Sequence, residues 1–402
     1  MNGYIPAFYR AGVLVGVLVL SGVFIALMAD GERRLVEGVA EERTEAPFYQ
    51  LPNPIPDGAP GHLFRTEELL SAPAGANAWR VIYHSRDVHG NNILVSGVVV
   101  APEGDPPPGG RPVISWGHPT TGAAQHCAPS LGIDPFVTIE GLHEFLDAGY
   151  VVAATDYAGM GAAGPNSYLV GVTEGNNMLD AARAARQVPD AGTGNRVVLW
   201  GHSQGGQAAL FAGQRALEYA PDLTLLGVAV AAPATDIGAL FMADVGNDSG
   251  ITIGSYALPA YASVYAGTPG VSLDGILTSQ GIAAAEAIAP VCLLGHTREL
   301  HRIATPVIGE YLLADPETTE PWATLLNENS PGATGLTVPL LVAQGDADTL
   351  VHPDITRAYV EQERALGTAV TFRTFRDIDH GLIAMVAMPD VMHWLEGIGV
   401  NK

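Results

Sequence analysis

The stretch from Arg196 to Gly206, RVVLWGHSQGG, constrains this chain more than any other. An apolar, strand-like run enters Gly201-His202-Ser203-Gln204-Gly205, and a helix-forming segment follows at once. A strand that turns into a helix within one residue leaves a tight, strained corner at its carboxyl end. Gly201 and Gly205 suit that corner because neighbouring backbone can come close where no side chain stands. Ser203 then presents its hydroxyl above the sheet, facing the N–H groups that open the helix. The plainer alternative is a glycine-rich turn with an idle serine. The strand before and the helix after favour a nucleophile.

The rest of the chain supplies a sheet to carry that corner. Short apolar runs bounded by turn residues recur at 79–84, 93–100, 112–116, 150–154, 196–200, 225–231, 338–343 and 369–375. Most of the later runs are unbroken, as in strands covered on both faces of a mainly parallel sheet. Helix-like segments lie between them at about 137–148, 173–187, 204–219, 354–366 and 382–395. Such alternation gives an α/β fold with helices on both faces. Residues 236–335 break the rhythm, being rich in Ala, Gly and Tyr and too long for a loop. The expected organisation is a first core part at 61–235, an inserted and mostly helical cap at 236–335, and a second core part at 336–402.

Residues 11–28 form an uncharged apolar run of 18 residues preceded by Arg10. Its length and place point to export, with 1–29 as a signal peptide or a membrane anchor. Residues 30–60 read as a charged linker with room for a helical turn or two, followed by a proline-rich segment extended over the surface. In an exported chain the two cysteines, Cys127 and Cys292, are expected to form a disulfide. Acidic residues outnumber basic ones by 42 to 19, and the net charge of −23 argues against nucleic acid as a partner. No nucleotide-binding glycine pattern or metal-ligand spacing stands out, so no cofactor and no metal is expected.

A serine hydroxyl is a poor nucleophile until a base takes its proton. On this kind of sheet the chain order is serine, acid, histidine. The strand ending at Gln344 runs into Gly345-Asp346-Ala347-Asp348. Asp348 is the preferred acid: it lies past the turn, and Leu350 and Val351 follow to pack it in place. Asp346 is left to cap the turn. His380, between the last strand and the final helix, is the expected general base among twelve histidines. His202, inside the elbow, is expected to point away from the serine. An oxyanion hole needs two backbone donors. The Gln204 N–H is one. The loop Gly117–Gly122 should offer the other, from Thr121 or, as the alternative, Thr120.

Several segments carry a resemblance. They are Pro47-Phe48-Tyr49 with Pro60-Gly61, and Thr120-Thr121-Gly122 with Cys127-Ala128-Pro129-Ser130. Asp156-Tyr157-Ala158-Gly159-Met160-Gly161 follows, then Gly164-Pro165, Tyr168-Leu169-Val170-Gly171 and the elbow itself. Together they resemble the secretory lipase family, the fungal lipase A-like group of α/β-hydrolases, in its bacterial branch. The resemblance runs from about Pro47 to the final helix. It implies the α/β-hydrolase fold, a cap between the sixth and seventh core strands, hydrolysis of carboxylic esters or triacylglycerols, and secretion. It supports Ser203, Asp348 and His380 as a triad. The loop Gly-His-Pro-Thr-Thr-Gly departs from the more usual His-Gly-Thr-Thr-Gly. An acyltransferase or serine peptidase on this fold would use the same three residues, whereas a non-catalytic binding module would be expected to lose one. The expected partner is a lipid or small-molecule ester, with contact to a membrane or lipid interface as a further expectation.

Overall fold

The apolar runs become the strands of one nine-stranded sheet in the computed structural model, which describes residues 31–400 apart from 32, 40 and 42–44. The strands are β1 (Leu63–Leu69), β2 (Ala76–Arg86), β3 (Asn92–Pro102), β4 (Arg111–Gly117), β5 (Val151–Thr155), β6 (Thr193–His202), β7 (Thr224–Ala231), β8 (Leu340–Gly345) and β9 (Val370–Phe375). Their order is β1-β2-β3-β5-β4-β6-β7-β8-β9. β1, β2, β3 and β5 pair antiparallel in turn. From β5 through β4 to β9 every pairing is parallel, so these strands end on one edge. This is the α/β-hydrolase architecture.

Burial on both faces explains the unbroken apolar runs. In β6, Val197 and Leu199 join the core on one side, Val198 and Trp200 the core on the other, and all four are buried. Helices α1 (Leu142–Asp147), α2 (Gly171–Ala185) and α3 (Gln204–Tyr219) follow β4, β5 and β6. α2 and α3 cover the first face through Met178, Leu179, Ala208 and Leu210. α1 covers the second through Phe145 and Leu146.

Between β7 and β8 the chain leaves the sheet. It forms α4 (Ile237–Asp244), α5 (Asp248–Val264), α6 (Ser279–Ile288), α7 (Thr297–Ala304) and α8 (Trp322–Glu328). Asp236, Asn247 and Thr278 start three of these helices by accepting the N–H of Ala239, Gly250 and Gly281. The inserted helices share a core of their own, which Tyr168, Leu169 and Val170 enter from the sheet domain. α9 (Pro353–Ala365) and α10 (Ile383–Gly397) complete the core, with Val391 and Leu395 of α10 beside α1 on the second face.

Two expectations change. β1 has no apolar run to announce it: it is a sheet edge bearing Arg65, Glu67 and Glu68, as exposed edges commonly are. With β1 counted, the sixth of the runs read from the sequence becomes β7, and the insertion follows it. The linker is partly helical over 33–39, where Arg33 donates to the carbonyls of Leu70 and Ala72, and Phe48 and Tyr49 are buried with Ile82 and Leu94. The run 11–28, and with it the choice between signal peptide and anchor, lies outside the described residues. Among the described residues no helix is long and apolar enough to cross a membrane.

Candidate active site

The corner after β6 is as tight as its glycines imply. Ser203 sits at φ 56° and ψ −117°, a conformation that L-residues rarely hold. A Cβ on Gly201 would stand 2.0 Å from the Gly205 carbonyl oxygen, and one on Gly205 would stand 1.8 Å from that of Gly117. Only hydrogen fits at either place. The corner is pinned by Ser203 N–H donating to Ala231 O (3.0 Å) and by Gln207 N–H donating to Ser203 O (3.1 Å). Strain at the serine is thus held by β7 and α3.

The carboxyl ends of β8 and β9 bring the partners. Ser203 Oγ lies 2.9 Å from His380 Nε2, and His380 Nδ1 lies 2.8 Å from Asp348 Oδ2. The arrangement has Nδ1–H donating to the carboxylate and the serine hydroxyl donating to Nε2. Asp348 is buried, at 4% exposure, and its Oδ1 accepts the N–H of Leu350 (2.9 Å) and of Val351 (2.8 Å). Gln344 Nε2 adds a bond to Oδ2 (3.2 Å). Burial alone would raise this carboxyl, but His380 and the two N–H groups outweigh it and hold it below the usual range. Asp346 is exposed and instead accepts Asp377 N–H (2.6 Å), tying the acid's loop to the histidine's.

His202 lies beside the base, with its ring nitrogen bonded to an acid rather than to Ser203. Its ring centre lies 5.0 Å from that of His380, and its Nδ1 lies 3.0 Å from Glu140 Oε2. It therefore backs the base's ring. Glu140 follows no motif and was invisible in the sequence.

The two threonines of the loop after β4 part company. Thr120 lies in the wall of a cavity with Ser203, Gln204 and His380. Thr121, the expected second donor, is not part of that wall; its hydroxyl donates to Cys127 O (2.9 Å), and its carbonyl accepts Leu293 N–H (2.8 Å). The Cys127–Cys292 disulfide, with Cα atoms 5.3 Å apart, draws this part of the loop toward the inserted helices.

The cavity has about 140 Å³ open to a water-sized sphere and is almost wholly apolar. Ile237, Phe241, Ile253, Ala257 and Leu258 wall it from the inserted helices, and Leu350 and Val351 from the loop of Asp348. One carboxylate, Asp244, interrupts this wall, with His352 Nε2 3.4 Å away. A second acid stands behind Gln204: Glu174, fully buried, which burial pushes up to about 8 against the pull of the Gln204 amide and the Leu169 N–H. Neither acid was singled out beforehand. Glu174 is one of several buried polar residues of α2, with Thr173, Asn176, Asn177 and Asp180, so its helix gave no apolar background to mark it out. The assembly offers a hydroxyl beside a base, a carboxylate to orient that base, and an apolar slot.

Comparison with known proteins identifies the family and the fold. The sequence profile of the secretory lipase family matches residues 136–398. A probable inactive lipase of Mycobacterium tuberculosis is 22% identical, over 88% of this chain and 81% of its own length. Lipase A of Arthroderma benhamiae is 25% identical, over 89% of this chain and 81% of its own. Candida antarctica lipase A in its closed state shares the fold, with a TM-score of 0.72 at 18% identity over 88% of this chain and 85% of that one. On the matched profile, which spans β5 to β9 and the whole insertion, the chain belongs to the secretory lipase family of carboxylic ester hydrolases.

Proposed function

We propose that the protein cleaves carboxylic esters of apolar acids through an acyl-enzyme on Ser203, with His380 as general base and Asp348 as its orienting acid. The contact of Ser203, His380 and Asp348 from three separate strand ends, beneath an apolar cavity, carries this reading. In the first step Ser203 Oγ attacks the ester carbonyl carbon as its proton passes to His380 Nε2. The carbonyl oxygen takes up negative charge, and the N–H groups of Gln204 and Thr120 are the proposed donors to it. Thr120 replaces Thr121 in this role because it is the threonine in the cavity wall. The ester C–O bond then breaks, and the leaving alkoxide receives the proton from His380. Water repeats the sequence on the acyl-enzyme, releasing the acid and restoring Ser203. Asp348, kept ionised, stabilises the imidazolium in both halves.

The cavity beside the serine is the proposed acyl site, and a lipid ester is the proposed substrate. The secretory family and the disulfide support export; lipid-interface contact is part of the same proposal. A fluorophosphonate probe tests the reading. It should label Ser203 alone and abolish ester hydrolysis, and Ser203→Ala should lower kcat by about 10⁴- to 10⁶-fold. Labelling at a different serine, or full turnover by Ser203→Ala, would overturn it.

A further inference from the structure

Glu174 is a buried acid that the reaction above does not use. It lies in the first turn of α2 with no solvent exposure. Its Oε1 accepts two hydrogen bonds, from Gln204 Nε2 (2.7 Å) and from Leu169 N–H (3.0 Å). Its Oε2 is buried without a partner, and so is Oε1 of the same Gln204. Two bare acceptors on one bonded pair of side chains are costly in a dry site. A single proton resolves both. A carboxylic acid and a primary amide each offer one donor and one acceptor, so a proton on Glu174 Oε2 can be donated to Gln204 Oε1 and close a two-bond ring.

The surroundings agree with a neutral acid. The ionisable groups that bear on Glu174 are Tyr157 from the loop after β5, Tyr168 from the loop before α2, and Tyr261 from α5. All three are buried, and burial pushes each of them up, so they stay neutral through the working range. Those groups include no cation to balance a carboxylate. The acid's two partners are also functional neighbours. Gln204 carries the proposed oxyanion donor, and Leu169, held at φ 57°, lines the cavity with Tyr168.

We infer that Glu174 works protonated, as the positioning residue that fixes Gln204 for the oxyanion, and that its ionisation turns the enzyme down in alkali. The inference rests on the acyl-enzyme reading. A carboxylate one side chain away from the forming oxyanion opposes that charge in a low-dielectric site. It also leaves Gln204 Oε1 facing a second acceptor, which frees the amide to turn and the donor to drift.

The test is kcat and KM for a soluble ester from pH 6 to 10 in wild type, Glu174→Gln, Glu174→Ala and Ser203→Ala. Wild-type kcat should fall with a midpoint near about 8, with KM moving much less. Glu174→Ala should lower kcat at pH 7 by about 10- to 100-fold, the scale of a misplaced catalytic group. Glu174→Gln should restore most of that loss and lack the alkaline fall, because its amide rebuilds the ring with no proton to lose. An alkaline fall identical in wild type and Glu174→Gln, or none in wild type, overturns the inference. Turnover by Ser203→Ala overturns the acyl-enzyme reading instead, and this inference with it. Should the Glu174 variants not fold, infrared difference spectra of wild type carry the test. A carboxylic-acid C=O band at pH 7 that disappears with the same midpoint supports the inference, and its absence at pH 7 overturns it.

Discussion

Removing the disulfide tests how the inserted helices are held over the serine. Cys127 and Cys292 are 165 residues apart in sequence, so their bond closes a loop of about that length. The loop-closure relation gives about 17 cal/mol/K for such a loop, or about 5 kcal/mol at 25 °C. Residual compactness of the denatured chain lowers the effective figure, and about 2–5 kcal/mol is the expected loss. The double variant Cys127→Ala/Cys292→Ala is preferable to serine replacements, because Cys127 is buried and a new hydroxyl there would need a partner. Urea unfolding followed by tryptophan fluorescence reads the change as a lower midpoint with a steeper slope, because the denatured chain without the crosslink exposes more surface. The same variant should bind long-acyl esters less well. Leu293, next to Cys292, lines the cavity, and its N–H holds the Thr121 carbonyl at 2.8 Å. KM for long esters should therefore rise more than kcat falls. An unchanged urea midpoint together with an unchanged KM would refute the tethering role.

Other substitutions separate the roles assigned to neighbouring groups. Asp348→Asn should lower kcat by about 10⁴-fold by presenting His380 with the wrong partner, whereas Asp346→Asn, at an exposed side chain that accepts Asp377 N–H, should stay within about tenfold of wild type; steady-state kinetics of the two variants decide it. Ala257→Phe fills part of the apolar cavity and should move the optimum of kcat/KM toward shorter acyl chains in a p-nitrophenyl ester series; an unmoved optimum would place the acyl chain elsewhere. Glu174→Gln should also raise thermal stability in a pH-dependent way. The folded chain keeps the Glu174 proton up to about 8 while the unfolded chain loses it near 4.5, so wild-type stability falls across that window as pH rises. The variant's gain in melting temperature should grow from pH 4.5 to about 8 and then level off, and a gain independent of pH would contradict the buried neutral acid.

Local constraints made the elbow legible. A strand, two glycines around a serine and a helix leave one backbone path, and the collision distances at Gly201 and Gly205 show why no other residue serves there. Strands buried on both faces write unbroken apolar runs, so β2 to β8 were readable whether paired parallel or antiparallel, and the chain order of acid and histidine followed from the α/β pattern. The edge strand β1 was not, because a half-exposed edge bearing Arg65, Glu67 and Glu68 has no such run. Asp348 was preferred over Asp346 from the apolar pair after it, and the fold buries the one and exposes the other. Tertiary structure alone decided the rest. It bonded the Thr121 hydroxyl to Cys127 O and left Thr120 at the cavity. It set His202 against His380 and Glu140, and Glu174 against Gln204. The physical reason is range: a turn is dictated by adjacent residues, whereas burial and partnership come from residues tens to hundreds of positions apart, as with the 177 residues that separate Ser203 from His380.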